Sequence, residues 1–202
     1  MTVDPRYFRD RYAASADPYG LADRWYEARK YAVSVALLPR EHYRAAFEPG
    51  CSIGVLTAML APRCDSLLAC DAIDIAVKSA RKRTAKLPGV RVERLAIPID
   101  WPPGEFDLIV FSEILYYFDN GDLNQVLRLA TGALCHDGHL LAVHWRHPAP
   151  DHPRTGDDVH QALAWHPGLT RLAGYRDPDF AAELFACADG DLRSVAQTGG
   201  IV

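Results

Sequence analysis

Short apolar runs alternate with helical patterns along the chain, and this alternation predicts most of the fold. The runs 66–70 and 106–111 are mainly apolar, with Ser66 and Asp107 as their polar members, which is typical of strands buried on both faces of a parallel sheet. An apolar lead-in to Phe47 marks the first strand. The pattern predicts an α/β fold, a doubly wound and mostly parallel seven-stranded sheet with helices on both faces. The other strands are expected at 90–95, 139–144, 169–175 and 180–187, with the last two as an antiparallel pair.

Helical spacing and capping residues place the helices between these strands. A helix is predicted over 23–38 and is closed by Pro39, and a second follows Gly54 and ends at Pro62. Asp122 is expected to cap a helix that runs to about residue 135 and is stopped by Gly138. Asp157 or Asp158 is expected to cap a short helix over 159–164, after a proline-rich loop.

Length, charge and cysteine content narrow the class of protein. A chain of 202 residues is most simply one domain with a substantial core. Its net charge of −4 gives no general attraction to nucleic acid. We interpret the basic face of the helix near residues 78–86 as a solvent-exposed surface and not as a nucleic-acid site. No apolar run is long enough to span a bilayer. Five irregularly spaced cysteines favour reduced thiols, so we expect a cytoplasmic protein. We expect it to be either a monomer or a weak homodimer.

The segment from Phe47 to Asp71 contains the clearest functional motif. The sequence Glu48-Pro49-Gly50-Cys51-Ser52-Ile53-Gly54 joins a strand to a helix, and Asp71 ends the next strand. A glycine turn of this kind brings backbone N–H groups and a helix N-terminus close to a ligand. An acidic residue about 20 residues on is placed to accept hydrogen bonds from ribose hydroxyls.

The spacing resembles the S-adenosylmethionine site of class I methyltransferases. Dinucleotide sites use G-x-G-x-x-G, whereas this chain has Glu48 before Gly50 and then Gly54. A carboxylate at that place disfavours a diphosphate and suits a cationic amino or sulfonium group. Ser52 replaces the usual middle glycine, and serine does not adopt positive φ cheaply. The resemblance implies the Rossmann-like fold and S-adenosylmethionine as cofactor.

Further cofactor contacts are implied by the same resemblance. Ala96 and Ile97 lie where the family contacts the adenine ring, and Ser112 ends the fourth strand. Residues 1–40 precede the first strand and are expected to form a helical cap over the cofactor site. Trp25 and Arg29, one helical turn apart, are the candidates for cofactor contact within that cap.

Residues that follow the fourth and fifth strands are candidates for catalysis. In an open α/β sheet the ligand lies beyond the carboxyl ends of the strands. Glu113 is the first candidate to take a proton from an acceptor amine or to hold the ammonium, and His144 is the second. Tyr116 and Tyr117 are expected to line the acceptor pocket. Seven of the eight histidines lie between His136 and His166, but their spacing matches no metal-ligand motif, so no metal site is predicted.

Several stretches between residues 5 and 165 together resemble the nodulation protein S (NodS-like) family. The resemblance implies transfer of a methyl group from S-adenosylmethionine to an amine, because the family namesake methylates a free amine on a partly deacetylated chitin oligosaccharide. The implied acceptor is therefore a saccharide or another small molecule. The stretches are Trp25-Tyr26-Glu27, Glu48 to Gly54, Trp101 to Asp107, Ser112 to Tyr117 and Thr155 to His160.

Three alternatives stay open at this stage. An O-methyltransferase would use the same cofactor half of the protein. A cofactor-binding protein without catalysis is disfavoured by the intact Glu48, Gly50, Gly54 and Asp71. A nicotinamide oxidoreductase is disfavoured by the glycine spacing and by the lack of a Tyr-x-x-x-Lys pair.

Overall fold

The computed structural model describes residues 1–190 and 192–202 and contains a seven-stranded sheet flanked by helices. Alternating apolar runs and amphipathic helices produce this layered arrangement. The strands are β1 (Tyr43–Pro49), β2 (Cys64–Asp71), β3 (Val90–Arg94), β4 (Phe106–Ser112), β5 (Leu134–Trp145), β6 (Leu169–Arg176) and β7 (Phe180–Cys187). The helices are α1 (Pro5–Ala14), α2 (Trp25–Ala36), α3 (Val55–Leu60), α4 (Asp74–Thr84), α5 (Asn120–Ala133), α6 (Gly156–Ala164) and α7 (Val195–Thr198), with 3₁₀ turns at Ala61–Arg63 and Leu115–Tyr117.

The strand order confirms the predicted fold class. The order is β3-β2-β1-β4-β5-β7-β6, and β7 runs antiparallel to both of its neighbours. The central strand β4 is buried along nearly its whole length, as its mainly apolar run predicts. The order of the strands reverses between β1 and β4, which is where an open α/β sheet binds its ligand, beyond the carboxyl ends of the strands.

The core consists mainly of two apolar layers, one on each face of the sheet. Phe47, Ile109 and Phe111 belong to the layer that α5 and α6 cover. Leu108 and Val110, the alternate residues of β4, belong to the other layer, which includes Tyr31 of α2. The period-two alternation of a strand therefore divides one apolar run between both layers.

The helix caps differ from those predicted. Asp119, not Asp122, caps α5, because its side chain accepts from the backbone N–H groups of residues 121 and 122. The helix ends at Ala133 and β5 begins at the next residue, so Gly138 lies inside β5 and does not stop the helix. Thr155 caps α6, and Asp158 is its reciprocal partner in a capping box.

The N-terminal section holds two helices where the sequence indicated one. The predicted helix over 23–38 is present as α2. The helix α1 was not predicted, although Asp4 caps it and Pro5 occupies its first turn. Tyr12 of α1 is buried against Ile53 and Ile73. None of the helices in the described part of the chain has the length and apolar character needed to cross a membrane.

Candidate active site

A cavity of about 810 Å³ lies at the carboxyl ends of the parallel strands, below α1 and α2. Its floor contains residues that follow β1, β2 and β4, and its roof contains side chains of both N-terminal helices. The predicted site residues that line it are Glu48, Gly50, Ser52, Asp71, Ala96, Ile97, Ser112, Glu113, Tyr116 and Tyr117.

The turn after β1 is a tight left-handed bend. Gly50 has φ of +76°, and the N–H groups of Gly50 and Cys51 both donate to the carbonyl of Cys70, at 2.7 and 2.9 Å. A Cβ atom on Gly50 would lie 2.7 Å from Cδ1 of Ile114. The turn therefore requires glycine here both for its conformation and for its close packing.

Ser52 adopts the left-handed conformation usual for glycine, with φ of +52°. Its N–H donates to Oδ2 of Asp71 at 3.0 Å, and its hydroxyl is hydrogen-bonded to the hydroxyl of Tyr12. The other oxygen of Asp71 accepts from the N–H of Ile73 at 2.9 Å. Asp71 therefore joins the two ends of the motif, and α1 contacts the turn directly.

Two carboxylates in this half of the cavity are desolvated. Burial raises the pKa of Glu48 to about 8, and its Oε2 has no hydrogen-bond partner in the described structure. Burial also raises the pKa of Asp71 to about 6, against the opposing effect of its backbone donors. A buried acid without a partner is stabilised in its charged form by a nearby cation. These residues therefore fit the positively charged S-adenosylmethionine that the sequence predicted.

The other half of the cavity is built on a buried ion cluster that the sequence reasoning missed. The ammonium of Lys30 lies 2.9 Å from Oε2 of Glu27 and 2.6 Å from Oε1 of Glu113. Burial opposes the charge on Lys30, but the two carboxylates outweigh it and raise the pKa of Lys30. The only sequence signal for this cluster is the i, i+3 spacing of Glu27 and Lys30 on α2.

Glu113 anchors the wall of the cavity through both of its oxygens. Besides Lys30, it accepts from the hydroxyl of Tyr116 at 2.6 Å and from the N–H of Trp145 at 2.9 Å. It does so from a left-handed backbone conformation, with φ of +57°. Tyr116 also stacks on the ring of His152, with centroids 4.3 Å apart. Glu113 therefore holds three donors in place at the edge of the cavity.

His144 was predicted as an alternative base, but the structure places it in the core and not among the residues that line the cavity. Its Nε2 accepts from the N–H of Leu115, and its Nδ1 faces Nε2 of His160, both at 3.3 Å. His160 in turn contacts Glu183 through Nδ1 at 2.8 Å. Burial holds the pKa of His144 well below its usual range. His144 therefore positions the Leu115–Tyr117 turn.

Three of the predicted cofactor contacts lie elsewhere in the structure. Trp25 is 78% exposed and is not among the residues that line the cavity. Arg29 pairs with Asp177 at 2.8 Å and also donates to Tyr175. Gly54 caps α3 and packs against Ala80, where a Cβ would lie 3.0 Å from the Ala80 backbone, so its role is in helix packing. Among the described residues, no group of three or more His, Cys, Asp and Glu could hold a metal ion.

Comparisons with known proteins identify relatives of this chain. The family model for nodulation protein S (NodS) matches residues 6–147. Nodulation protein S of Bradyrhizobium diazoefficiens is 32% identical over 144 residues, which is 70% of this chain and 69% of that protein. Over the three nodulation protein S relatives, the matched segments span 60% to 69% of the relative's length.

Solved structures give the same answer over most of the chain. A protein of Pseudomonas syringae named as a methyltransferase is 48% identical, with a TM-score of 0.70 over 80% of this chain and 99% of that one. The N-methyltransferase NodS of Bradyrhizobium japonicum WM9, solved with S-adenosyl-L-homocysteine, is 25% identical, with a TM-score of 0.80 over 90% of this chain and 97% of that one. The chain therefore belongs to the nodulation protein S family of class I S-adenosylmethionine-dependent methyltransferases.

Proposed function

We propose that this methyltransferase acts on an amine nitrogen of a small molecule, with an amino group on a saccharide as the leading acceptor. The observation that carries the proposal is the charge of the cavity, whose lining contains more acids than cations. Such a lining favours positively charged ligands, and an amine is protonated at neutral pH. The acids are Glu27, Glu48, Asp71, Glu113, Asp122 and Asp179, and the cations are Arg24 and Lys30.

The half of the cavity near β1 and β2 is proposed to hold the cofactor. S-adenosylmethionine supplies a methyl group that is already activated by its sulfonium. Asp71 is positioned to accept hydrogen bonds from the ribose hydroxyls, and Glu48 offers an unpartnered oxygen to a cation. Ala96, Ile97 and Ser112 complete this half as small or apolar lining residues.

The half near Glu113 is proposed to hold the acceptor. What the chain must do there is align the nitrogen with the methyl donor and exclude water, and such orientation can lower a barrier by about 7–11 kcal/mol at its upper range. Tyr116 and Tyr117 provide aromatic walls for a sugar ring. Glu113 attracts the ammonium, and a role in taking its proton is the alternative that substitution by glutamine tests.

Residues 1–40 are proposed to act as the cap of this site. Tyr7, Phe8 and Tyr12 of α1 line the cavity, as do Tyr26 and Lys30 of α2. All five cysteines are unbridged in the structure, which supports a cytoplasmic location for the enzyme.

A product screen tests the proposal. The protein is incubated with isotopically labelled S-adenosylmethionine and a panel of amino sugars and deacetylated chitin oligosaccharides, each paired with its fully N-acetylated counterpart as the matched control. We expect label on nitrogen in the free-amine members, identified by fragmentation in the mass spectrometer. Label on a hydroxyl oxygen, or equal labelling of the acetylated controls, would show that the protein is an O-methyltransferase.

A further inference from the structure

One buried polar group beside the ion cluster has no partner within the protein. Tyr26 is one of the residues that line the cavity, and its hydroxyl oxygen is buried and makes no hydrogen bond to any described residue. Buried polar groups are normally paired, because leaving one unpaired costs free energy. A ligand bound in this cavity would remove that cost by pairing with the hydroxyl.

The ring of Tyr26 is held in place on several sides. It packs edge to face against Trp145, with centroids 5.4 Å apart, and against Phe180, with centroids 6.2 Å apart. The ammonium of Lys30 lies 5.0 Å from the centre of the ring. Because these contacts fix the ring, they also fix the position of its hydroxyl.

That position is on the acceptor side of the sheet. Trp145 ends β5 and Phe180 begins β7, whereas Asp71 ends β2. In the strand order, β5 lies three positions from β2, which corresponds to about 14 Å at the usual strand spacing. Tyr26 is thus well separated from the carboxylate proposed to hold the cofactor ribose.

The surroundings of the hydroxyl are acidic. Two carboxylates, Glu27 and Glu113, share the single ammonium of Lys30, and Asp179 also lines this end of the cavity. Burial and these carboxylates raise the pKa of Tyr26, so it keeps its proton at physiological pH. The cluster of Glu27, Glu113 and Lys30 has one carboxylate more than it has ammonium groups, and one added cation would balance it.

We propose that Tyr26 is a specificity-determining residue, whose hydroxyl oxygen accepts a hydrogen bond from the protonated amine of the acceptor. The carboxylates of Glu113 and Asp179 supply the negative field, and the fixed hydroxyl supplies the direction. This inference rests on the proposed N-methyltransferase function. It assigns the recognition of the amine to a residue of α2 in addition to those that follow the strands.

The test compares Tyr26→Phe with Tyr175→Phe, using the free-amine acceptor that the wild type methylates best in the product screen. Tyr175→Phe is the matched control, because it also removes one tyrosine hydroxyl. That hydroxyl pairs with Arg29 and Asp177, and none of these three residues lines the cavity. For Tyr26→Phe we expect the acceptor KM to rise about tenfold or more, as for a lost hydrogen bond to a charged group. The Kd of S-adenosylhomocysteine, measured by calorimetry, should stay within twofold, as should both constants of the control.

Each contrary result has its own meaning. An unchanged acceptor KM in a Tyr26→Phe protein that melts like the wild type overturns the inference and leaves the proposed function intact. Equal losses in acceptor KM and cofactor Kd would assign Tyr26 to the cofactor and overturn it as well. A wild type that methylates only hydroxyls contradicts the proposed function itself, and the inference with it.

Discussion

Replacing Lys30 by methionine tests whether the buried ion cluster supports both the fold and the site. The side chain of Lys30 is 2% exposed and is held by carboxylates on two different elements, Glu27 on α2 and Glu113 after β4. Methionine keeps most of the volume and removes the charge. The variant therefore leaves two carboxylates at the wall of the cavity without their shared cation.

Breaking a buried ion pair by removing one partner typically costs about 3–5 kcal/mol. For a chain of this size, 1 kcal/mol corresponds to a shift in melting temperature of about 2–4 °C, so Lys30→Met should melt about 6–20 °C below the wild type. Lys78→Met is the matched control, because Lys78 is an exposed lysine on α4. We expect the control to melt within about 2 °C of the wild type, as most exposed substitutions do.

The pH dependence gives the prediction its sharper form. Burial already raises the pKa of Glu27 despite Lys30, and losing Lys30 raises it further. As pH rises above about 4.5, the unfolded chain releases this proton before the folded protein does, so the variant loses stability toward neutral pH. Thermal unfolding followed by circular dichroism at pH 5, 6 and 8 should show the gap between variant and wild type widening with pH. A gap that is constant over this range, or smaller than about 2 °C at pH 8, would refute the electrostatic account of the cluster.

Three further substitutions examine the proposed roles of single carboxylates. Asp71→Ala should weaken S-adenosylmethionine binding about tenfold or more in calorimetry, and unchanged affinity would contradict the ribose assignment. The variant should also melt below the wild type, because the N–H groups of Ser52 and Ile73 lose their acceptor. The pKa of Glu48 near 8 means that a cation bound beside it should displace its proton at pH 7. The number of protons released when S-adenosylmethionine binds can be measured by calorimetry in buffers of different ionisation enthalpy. Glu48→Gln should release about one proton fewer than the wild type, and equal release would exclude Glu48 as the cation partner. Glu113→Gln should lower kcat much more than it weakens cofactor binding, and equal losses would assign Glu113 to the cofactor side.

The sequence predicted the frame of this enzyme because its signals are local. The mainly apolar runs of β2 and β4 specify buried parallel strands, and the structure confirms the fold class. The spacing of Glu48, Gly50 and Asp71 identified the cofactor class, and the family comparisons confirm it. These features depend on residues close together in the chain, so one sequence is enough to find them.

The proposed acceptor half was harder to predict because long-range contacts decide it. Successive residues of a helix differ by about 100° around its axis, so choosing Trp25 and Arg29 selected the outer face of α2, whereas Tyr26 and Lys30 occupy the inner one. The prediction that His144 faces the cavity is wrong for the same kind of reason, because alternate residues of a strand face opposite sides of the sheet. Which face meets the cavity depends on how α2 and α6 pack, and periodicity alone does not contain that information.

The contact between Tyr12 and Ser52 has a consequence for the exchange of ligands. The same short helix reaches the nucleotide turn through Tyr12 and the loop before α6 through Tyr7, whose hydroxyl lies 3.3 Å from Asp151. The helix α1 therefore contacts both the turn after β1 and the loop before α6. We expect any movement of α1 to change both contacts at once, so that the two places open together.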